Sequence, residues 1–373
     1  MLAAAAPVIV RMAMQWGYIL RVRTRWAGDP DMRDHFGEKA VDDLDKLGIR
    51  REAIQPFASV DHIEVELYDS GLLTEDETPV LDAASEIPWE YLLSSATQTV
   101  GRFESLLVTR CLANDSDVVR TRPKSFLFVE SAPGRIEQFY EFEYEEVRLH
   151  AAVNLEERHG LEFSRTKPFG KLREELRQTA WDAVHVTGVD THQAAWLVEG
   201  FYAEDEGNGK ETEKEKDEEK EKKKNKIIDE SGRLQDGMIL RGDQKSEYPV
   251  RYDTLADVLL ASTKRPGVIT LNLYYSGART ARELVKRGVY AALGFLDEID
   301  DEFAELFFQA FYWAWCHKNK SIREAFLDAW STMDGDRMHG TGIVIWAGRS
   351  MIADSGTSAK RPAPAKKTRR GGR

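Results

Sequence analysis

The stretch Gly267–Gly277 reads GVITLNLYYSG and predicts a short buried strand that ends in a tight turn. Apolar and β-branched residues follow one another without alternation, which is typical of a strand covered on both faces. Ser276 and Gly277 close the strand. Two comparable runs come earlier in the chain, Ser125–Ser131 (SFLFVES) and Trp181–Gly188 (WDAVHVTG). Together they indicate the central strands of a sheet.

Helical patterns separate these strands. Strands that alternate with helices need crossover connections, which place parallel strands side by side and helices on the two faces. The sequence therefore predicts an α/β fold with a mostly parallel central sheet and helices on both faces. The predicted helices are Ile87–Leu93, Ile136–Val153, Tyr252–Ser262, Thr280–Arg287, Glu302–His317 and Ser321–Trp330. Further predicted strands are Val60–Tyr68, Val289–Phe295 and Ile343–Ala347, with alternation at Leu20–Thr24.

Composition divides the 373 residues into three parts. We predict an N-terminal α/β part over residues 1–123, a core over 124–350 and a disordered basic tail over 351–373. Within the core, residues 203–226 contain ten acidic and eight basic residues and no apolar face. Such a segment cannot bury enough surface to offset the cost of ordering, so we expect a disordered charged insert.

The formal charge of −12 argues against a nucleic-acid-binding domain as a whole, because phosphates would be repelled on average. Nucleic acid could be contacted only through the basic tail. The first ten residues, MLAAAAPVIV, lack a basic start and are too short for a membrane span, which needs about 20 residues. We interpret them as leading into a first strand and expect a cytoplasmic protein without membrane contact.

Two cysteines, Cys111 and Cys316, form neither a disulfide framework nor a metal motif. Cys316 lies among aromatic residues of a predicted helix, so a core thiol is expected, and its neighbour His317 points about 100° away. The sequence carries no phosphate-binding or dinucleotide-binding glycine motif and no zinc-peptidase motif. No cofactor and no metal are expected.

The order of several motifs resembles the CHAT family, caspase-like clan CD peptidases of bacteria and archaea that often occur with TPR repeats. The resemblance spans about residues 60–347. It is carried by IPWEYLL (Ile87–Leu93), FLFVESAPGR (Phe126–Arg135), FEYEEVRLHAAV (Phe142–Val153), WDAVHVTG (Trp181–Gly188), LNLYYSG (Leu271–Gly277), the long run Ala281–Trp315 and SIREAFLDAW (Ser321–Trp330). The resemblance implies a caspase-like core with an N-terminal α/β extension.

The resemblance also implies where a peptidase would carry its cysteine nucleophile and histidine base, and this chain departs from the pattern at both places. Where the family has His-x-x-x-His-Gly, the base position falls on Val189. Where the family has Asn-Ala-Cys-x-Ser-Gly, the nucleophile position falls on Tyr274, although Asn272, Ser276 and Gly277 are kept. Valine carries no proton, and a phenol with a pKa near 10 is a poor nucleophile at neutral pH.

Substitute residues are conceivable. His192 follows Val189 by three residues and could act as a base for the hydroxyl of Ser276; otherwise it is an exposed loop histidine. His185, inside its strand, reads as a hydrogen-bonded core histidine. Acidic residues after the strand Val289–Phe295 either favour basic substrate residues or cap the next helix. They are Asp297, Glu298, Asp300 and Asp301.

The leading hypothesis is a catalytically degenerate caspase-like protein that acts through protein–protein interaction, as a scaffold, decoy, substrate or regulator in bacterial signalling or defence. The resemblance suggests an active protease or a TPR-containing protein as its partner. One alternative is an active endopeptidase that uses Ser276 and His192. The other is a nucleic-acid-associated protein that binds through its basic tail. The insert 203–226 could serve as a cleavage site or as a passive loop.

Overall fold

A computed structural model describes most of the chain. The described residues are 8–11, 40–55, 62–67, 84–98, 106–140, 142–153, 161–165, 167–197, 227–228, 232, 234–242, 247–332 and 342–352. The predicted strand at Leu20–Thr24, the charged insert 203–226 and the basic residues of the tail lie outside these ranges.

Eleven strands are described, and nine of them form one sheet in the order β1-β2-β3-β11-β10-β9-β6-β4-β5. Strands β7 and β8 form a separate antiparallel hairpin. The strands are β1 (Val8–Arg11), β2 (His62–Glu66), β3 (Leu107–Cys111), β4 (Phe126–Ser131), β5 (Leu161–Arg165), β6 (Ala183–Gly188), β7 (Gly237–Arg241), β8 (Glu247–Arg251), β9 (Val268–Asn272), β10 (Ala291–Phe295) and β11 (Ile343–Ala347).

The nine-stranded sheet consists of two parallel groups that meet at one antiparallel pair. Strands β1, β2, β3 and β11 run parallel to one another, as do β10, β9, β6, β4 and β5. Only β10 and β11 pair in opposite directions within this sheet. The predicted α/β fold class with a mostly parallel central sheet is confirmed. The three strands before residue 124 continue the sheet of the predicted core, and the proposed domain division stays a prediction.

Helices cover both faces of the sheet. On one face α2, α4, α6 and α7 pack against the larger core cluster, and on the other face α3, α8 and α9 pack against an aromatic cluster. The helices are α1 (Arg51–Ile54), α2 (Trp89–Gln98), α3 (Glu143–Val153), α4 (Phe169–Gln178), α5 (Thr191–Leu197), α6 (Tyr252–Leu259), α7 (Thr280–Lys286), α8 (Asp301–Cys316) and α9 (Ile322–Thr332). Residues 40–46 are also helical.

One predicted helix is wrong. The run Ile136–Val153 is divided into a 3₁₀ helix at Gly134–Phe139 and the α-helix α3, because Tyr140 between them has an extended backbone. Its ring stacks on Phe142, 5.8 Å between centroids, and both rings pack against a small cluster under β7. The break matters for function, since it places two aromatic rings beside the carboxyl ends of β4 and β6.

No helix in the described ranges is both long and apolar enough to cross a membrane.

Candidate functional site

A cleft of about 140 Å³ lies at the carboxyl ends of β6 and β9. In a parallel sheet, side chains that follow neighbouring strands converge at this edge, which is where binding sites of such folds form. Aromatic rings form part of its walls, three of its lining residues are acidic, and no described residue that lines it is basic. The lining residues are Phe139, Tyr140, Phe142, Glu145, Thr187, Gly188, Gln193, Asn272, Tyr274, Asp301 and Glu305.

Tyr274, at the predicted nucleophile position, lines this cleft. Its hydroxyl donates a hydrogen bond of 3.1 Å to Asp301 Oδ1. Burial, together with the neighbouring Asp301 carboxylate, raises the pKa of Tyr274 far above its usual value of 10. The phenol therefore keeps its proton at neutral pH and serves as a hydrogen-bond donor at the end of β9.

Val189, at the predicted base position, does not line the cleft. It is fully buried in the cluster of Ala132, Ile136, Ala194 and Ile239, which lies under the β7–β8 hairpin. Gly188 in front of it does line the cleft, and its place is set by close contact, since a Cβ there would lie 2.4 Å from the carbonyl oxygen of Ser131.

Ser276, one predicted substitute, is turned into the protein. It is 2% exposed, and its hydroxyl donates to the carbonyl oxygen of Leu273 at 2.7 Å and accepts from the Phe295 amide at 3.2 Å. These bonds tie the turn after β9 to β10. The hydroxyl is a structural part of the turn.

His192, the other substitute, lies in α5 and not in an exposed loop. Its Nε2 is 3.0 Å from Asp236 Oδ1, and its ring packs on Tyr275 with 4.5 Å between centroids. Tyr275 has a positive φ of 55° in the turn after β9 and donates through its hydroxyl to Glu298. In the described part of the chain, no hydrogen bond joins His192 to Ser276.

A buried chain of hydrogen bonds supports the floor of the cleft. His185 is fully buried, with Nδ1 2.6 Å from Thr270 Oγ1 and Nε2 2.8 Å from Glu145 Oε1. The Asn272 amide donates to the same Glu145 oxygen at 2.8 Å. His185 is thus the hydrogen-bonded core histidine that the sequence predicted, and its partner Glu145 is held in one orientation.

Two carboxylates on α8 line the cleft opposite Glu145. Burial, followed by the repulsion of Glu145, raises the pKa of Glu305 to about 7, and burial also raises the pKa of Asp301. Arg148 approaches Glu305 within 3.1 Å from outside the lining. Asp300 next to Asp301 caps α8 by accepting from the Phe303 amide, so the acidic run both caps the helix and lines the cleft.

Both cysteines are buried away from this cleft. Burial raises the pKa of each thiol, Cys111 and Cys316, to about 12, so neither provides a thiolate at neutral pH. Among the residues that the structure describes, no group of three or more His, Cys, Asp and Glu side chains could hold a metal ion.

The chain is similar in fold to solved cysteine proteinases. The Arg-specific cysteine proteinase gingipain R is 11% identical, with a TM-score of 0.43, over 92% of this chain and 77% of that chain. RgpB of Porphyromonas gingivalis, as a complex of pro- and mature domains, is 11% identical with a TM-score of 0.42, over 85% and 75% of the two chains.

A separase–securin complex of Saccharomyces cerevisiae is 12% identical with a TM-score of 0.38, over 78% of this chain and 16% of that chain. No family model matches the sequence, and a comparison with curated proteins gives no match. All three TM-scores are below 0.5.

Two groups on the cleft wall are buried without a hydrogen-bond partner among the described residues. They are Glu145 Oε2 and Thr187 Oγ1, on residues that are 1% and 0% exposed. A buried polar atom without a partner costs about 1–3 kcal/mol. A ligand that donates hydrogen bonds and carries positive charge would satisfy both atoms, whereas an anion would be repelled by the three carboxylates.

Sequence reasoning found Tyr274, Asn272 and Asp301 but missed Glu145, Thr187 and Glu305. Glu145 sits in the run EYEE at the start of α3, where residue type alone does not separate it from Glu143 and Glu146. In the structure it is distinguished by its burial and by its contact with His185 of β6. The signal that could have found it is the helical spacing of Glu145 with the buried Leu149 and Ala152.

We expect Gly188→Ala to destabilise the protein by about 1–3 kcal/mol, because the new Cβ would overlap backbone oxygen and the Met238 side chain. Gly170→Ala is the matched control: that glycine lies in α4 with open space around it, so alanine should stabilise by about 0.5–1 kcal/mol. Urea denaturation of both variants tests the difference. Equal stability of the two variants would contradict the close packing at the end of β6.

Asp190 should make stability depend on pH. It is fully buried after β6, and burial raises its pKa to about 7. A raised acid pKa means that the folded state holds a proton which the unfolded state releases near pH 4. The stability contributed by this proton is therefore present at low pH and is lost as pH rises through 7.

The test compares wild type with Asp190→Asn by denaturation at several pH values between 5 and 8. The stability of the wild-type protein should fall across this range by up to a few kcal/mol relative to the variant. Parallel pH profiles of the two proteins would show that Asp190 is already ionised at pH 5.

Proposed function

We propose that this chain is a caspase-fold protein that binds a segment of another protein in the cleft and does not hydrolyse peptide bonds. The observation that carries the proposal is the hydrogen bond from Tyr274 to Asp301 at the nucleophile position. A nucleophile has to lose its proton during attack. The raised pKa of this buried phenol opposes that loss.

The charge of the residues around Tyr274 also opposes hydrolysis. Acyl transfer passes through a negatively charged oxygen that needs hydrogen-bond donors or positive charge nearby. Here Glu145, Asp301 and Glu305 line the space next to Tyr274, and none of the described lining residues is basic. Negative charge that develops at this place would be repelled, so the cleft is suited to bind a cation and not to stabilise an oxyanion.

The complementary ligand is a positively charged side chain. Guanidinium and ammonium groups bind carboxylates through short, strong hydrogen bonds and also pack on aromatic rings. The cleft offers the carboxylates together with the rings of Tyr140, Phe142 and Tyr274. A volume of about 140 Å³ accommodates one such side chain of a partner and not a folded domain.

In this proposal the biological role is that of a scaffold, decoy, substrate or regulator in bacterial signalling or defence. An active protease or a TPR-containing protein is the partner class that the sequence resemblance favours. The assignment to a bacterial signalling or defence pathway rests on that resemblance.

The experiment that tests the proposal incubates the purified protein with a broad peptide library and counts new peptide termini by mass spectrometry. We expect no more cleavage than in buffer. The same assay is run on Ser276→Ala and His192→Ala, the residues that an active peptidase would need. Cleavage by the wild-type protein would overturn the proposal, and its loss in a variant that thermal denaturation shows to be folded would establish the endopeptidase alternative.

A further inference from the structure

The cleft and the residues after Ile352 carry opposite charge. Residues 355–373 contain seven basic residues and no acidic one. The whole chain has a charge of −12, so the other 354 residues carry −19. The basic residues are Lys360, Arg361, Lys366, Lys367, Arg369, Arg370 and Arg373. No other stretch of the sequence is basic to this degree.

Two buried acceptors on the cleft wall are suited to one such side chain. Glu145 is 1% exposed, and its Oε1 is occupied by His185 and Asn272 while Oε2 has no partner in the described part of the chain. The neighbouring Thr187 hydroxyl is also without a partner there. A guanidinium carries several N–H donors in a planar fork, so one such group can donate to more than one acceptor, and its positive charge also neutralises the Glu145 carboxylate.

The segment is long enough to reach. The Met351 amide donates to Glu64 Oε2, so the chain is fixed beside β2 just before the segment begins. Because β11 runs antiparallel to β10, residues 348–352 lie at the edge of the sheet opposite the cleft. The path to the cleft therefore crosses five strand spacings from β2 to β6, roughly 24 Å at about 4.8 Å each, and the length of a six-residue strand, roughly 20 Å. Arg369 is 17 residues beyond Ile352, and an extended chain spans about 3.3 Å for each residue, or roughly 56 Å. The distant arginines can therefore pass around the edge of the sheet.

Tethering favours this ligand over a free one. A cleft that holds a single side chain buries little surface and gives weak affinity. A segment of the same chain is present at an effective concentration in the millimolar range, so weak binding is enough to keep the site occupied. A separate basic peptide would have to displace it.

We propose that the cleft lined by Glu145, Thr187 and Tyr274 binds an arginine or lysine side chain of residues 355–373 of the same chain. The bound segment then competes with the basic segment of a partner protein. This inference rests on the proposed binding function of the cleft and names its resident ligand.

The test uses the full chain with the seven basic residues of 355–373 replaced by glutamine, called the neutral-tail chain. The probe is a fluorescent peptide with the sequence of residues 355–373, and its binding is followed by fluorescence anisotropy at low salt. We expect the neutral-tail chain to bind the peptide at least tenfold more tightly than the unmodified chain. Equal binding by the two chains would overturn the inference.

Variants in the neutral-tail chain locate the site. Glu145→Gln should weaken peptide binding about tenfold, and Glu174→Gln, on the exposed face of α4, should leave it unchanged. Thermal denaturation shows whether Glu145→Gln is folded; if it is not, Glu305→Gln takes its place, because Glu305 lines the same cleft. Equal effects at the cleft and at Glu174 would show that attraction is spread over the acidic surface and would contradict the inference.

An unrelated arginine-containing peptide of equal charge separates this inference from the function on which it rests. If both chains bind that peptide equally and the binding depends on Glu145, the resident segment is ruled out and the binding cleft is retained. If no basic peptide binds either chain in a manner that depends on Glu145, the binding function itself fails.

Discussion

Replacing Arg110 with methionine is expected to lower the free energy of unfolding by about 3–5 kcal/mol. Arg110 projects from β3 and is fully buried. Its guanidinium donates to both carboxylate oxygens of Glu90, at 2.8 and 2.7 Å, and to the carbonyl oxygens of Ser85 and Ile87. It also lies 5.4 Å from the centre of the Trp346 ring.

The loss is large because methionine fills much of the space but leaves the Glu90 carboxylate buried without its counter-charge. The double variant Arg110→Met with Glu90→Leu should therefore recover part of the loss, which a pure packing effect would not do. Arg287→Met is the control, since its pairs with Glu283 and Asp257 are partly exposed and are worth about 0–1 kcal/mol. Urea denaturation of the four proteins measures these values, and a loss below 1 kcal/mol for Arg110→Met would contradict the account.

Phe308→Ala is expected to destabilise the protein by about 3–5 kcal/mol. Phe308 is fully buried on α8, and its ring lies 5.0 Å from the ring of His185, 5.5 Å from Phe295 and 5.4 Å from Phe307. Alanine removes the ring and leaves a cavity between α8 and the sheet. Because α8 also carries Asp301 and Glu305, the variant should weaken binding at the cleft as well as stability.

Leu306→Ala is the control on the same helix, since that side chain is 43% exposed and its loss should change stability by less than about 0.5 kcal/mol. Thermal and urea denaturation compare the two variants. A Phe308→Ala protein as stable as Leu306→Ala would mean that the aromatic cluster does not hold α8 against β6 and β10.

Several strands and helices of the second half of the chain could be predicted from sequence because their burial matches their periodicity, whereas the hairpin of β7 and β8 is absent from the prediction. The strand β11 was predicted at its observed bounds, Ile343–Ala347, and all five of its residues are buried. The prediction of one long helix over Ile136–Val153 is wrong because of a tertiary contact. The backbone of Tyr140 is extended and its ring lines the cleft, and no residue type near Tyr140 in the sequence indicates that the helix breaks there.

The motifs that suggested the family turn out to have structural tasks in this chain. In Pro88-Trp89-Glu90, the tryptophan is fully buried and the glutamate binds Arg110. Ser276 holds the turn after β9. Sequence spacing could place Tyr274 at the end of a central strand, but it could not show that Val189 faces a core cluster or that Glu145 faces the cleft, because both depend on contacts between distant segments.

The central claim is that the cleft binds basic protein segments and does not cleave them. One measurement tests both the binding and the absence of cleavage. The neutral-tail chain is immobilised and exposed to a peptide library, and the retained and unretained peptides are identified by mass spectrometry. The account predicts that peptides with arginine or lysine are enriched, that they are recovered uncleaved, and that Glu145→Gln abolishes the enrichment. New peptide termini, or an enrichment that is the same with Glu145→Gln, would contradict it.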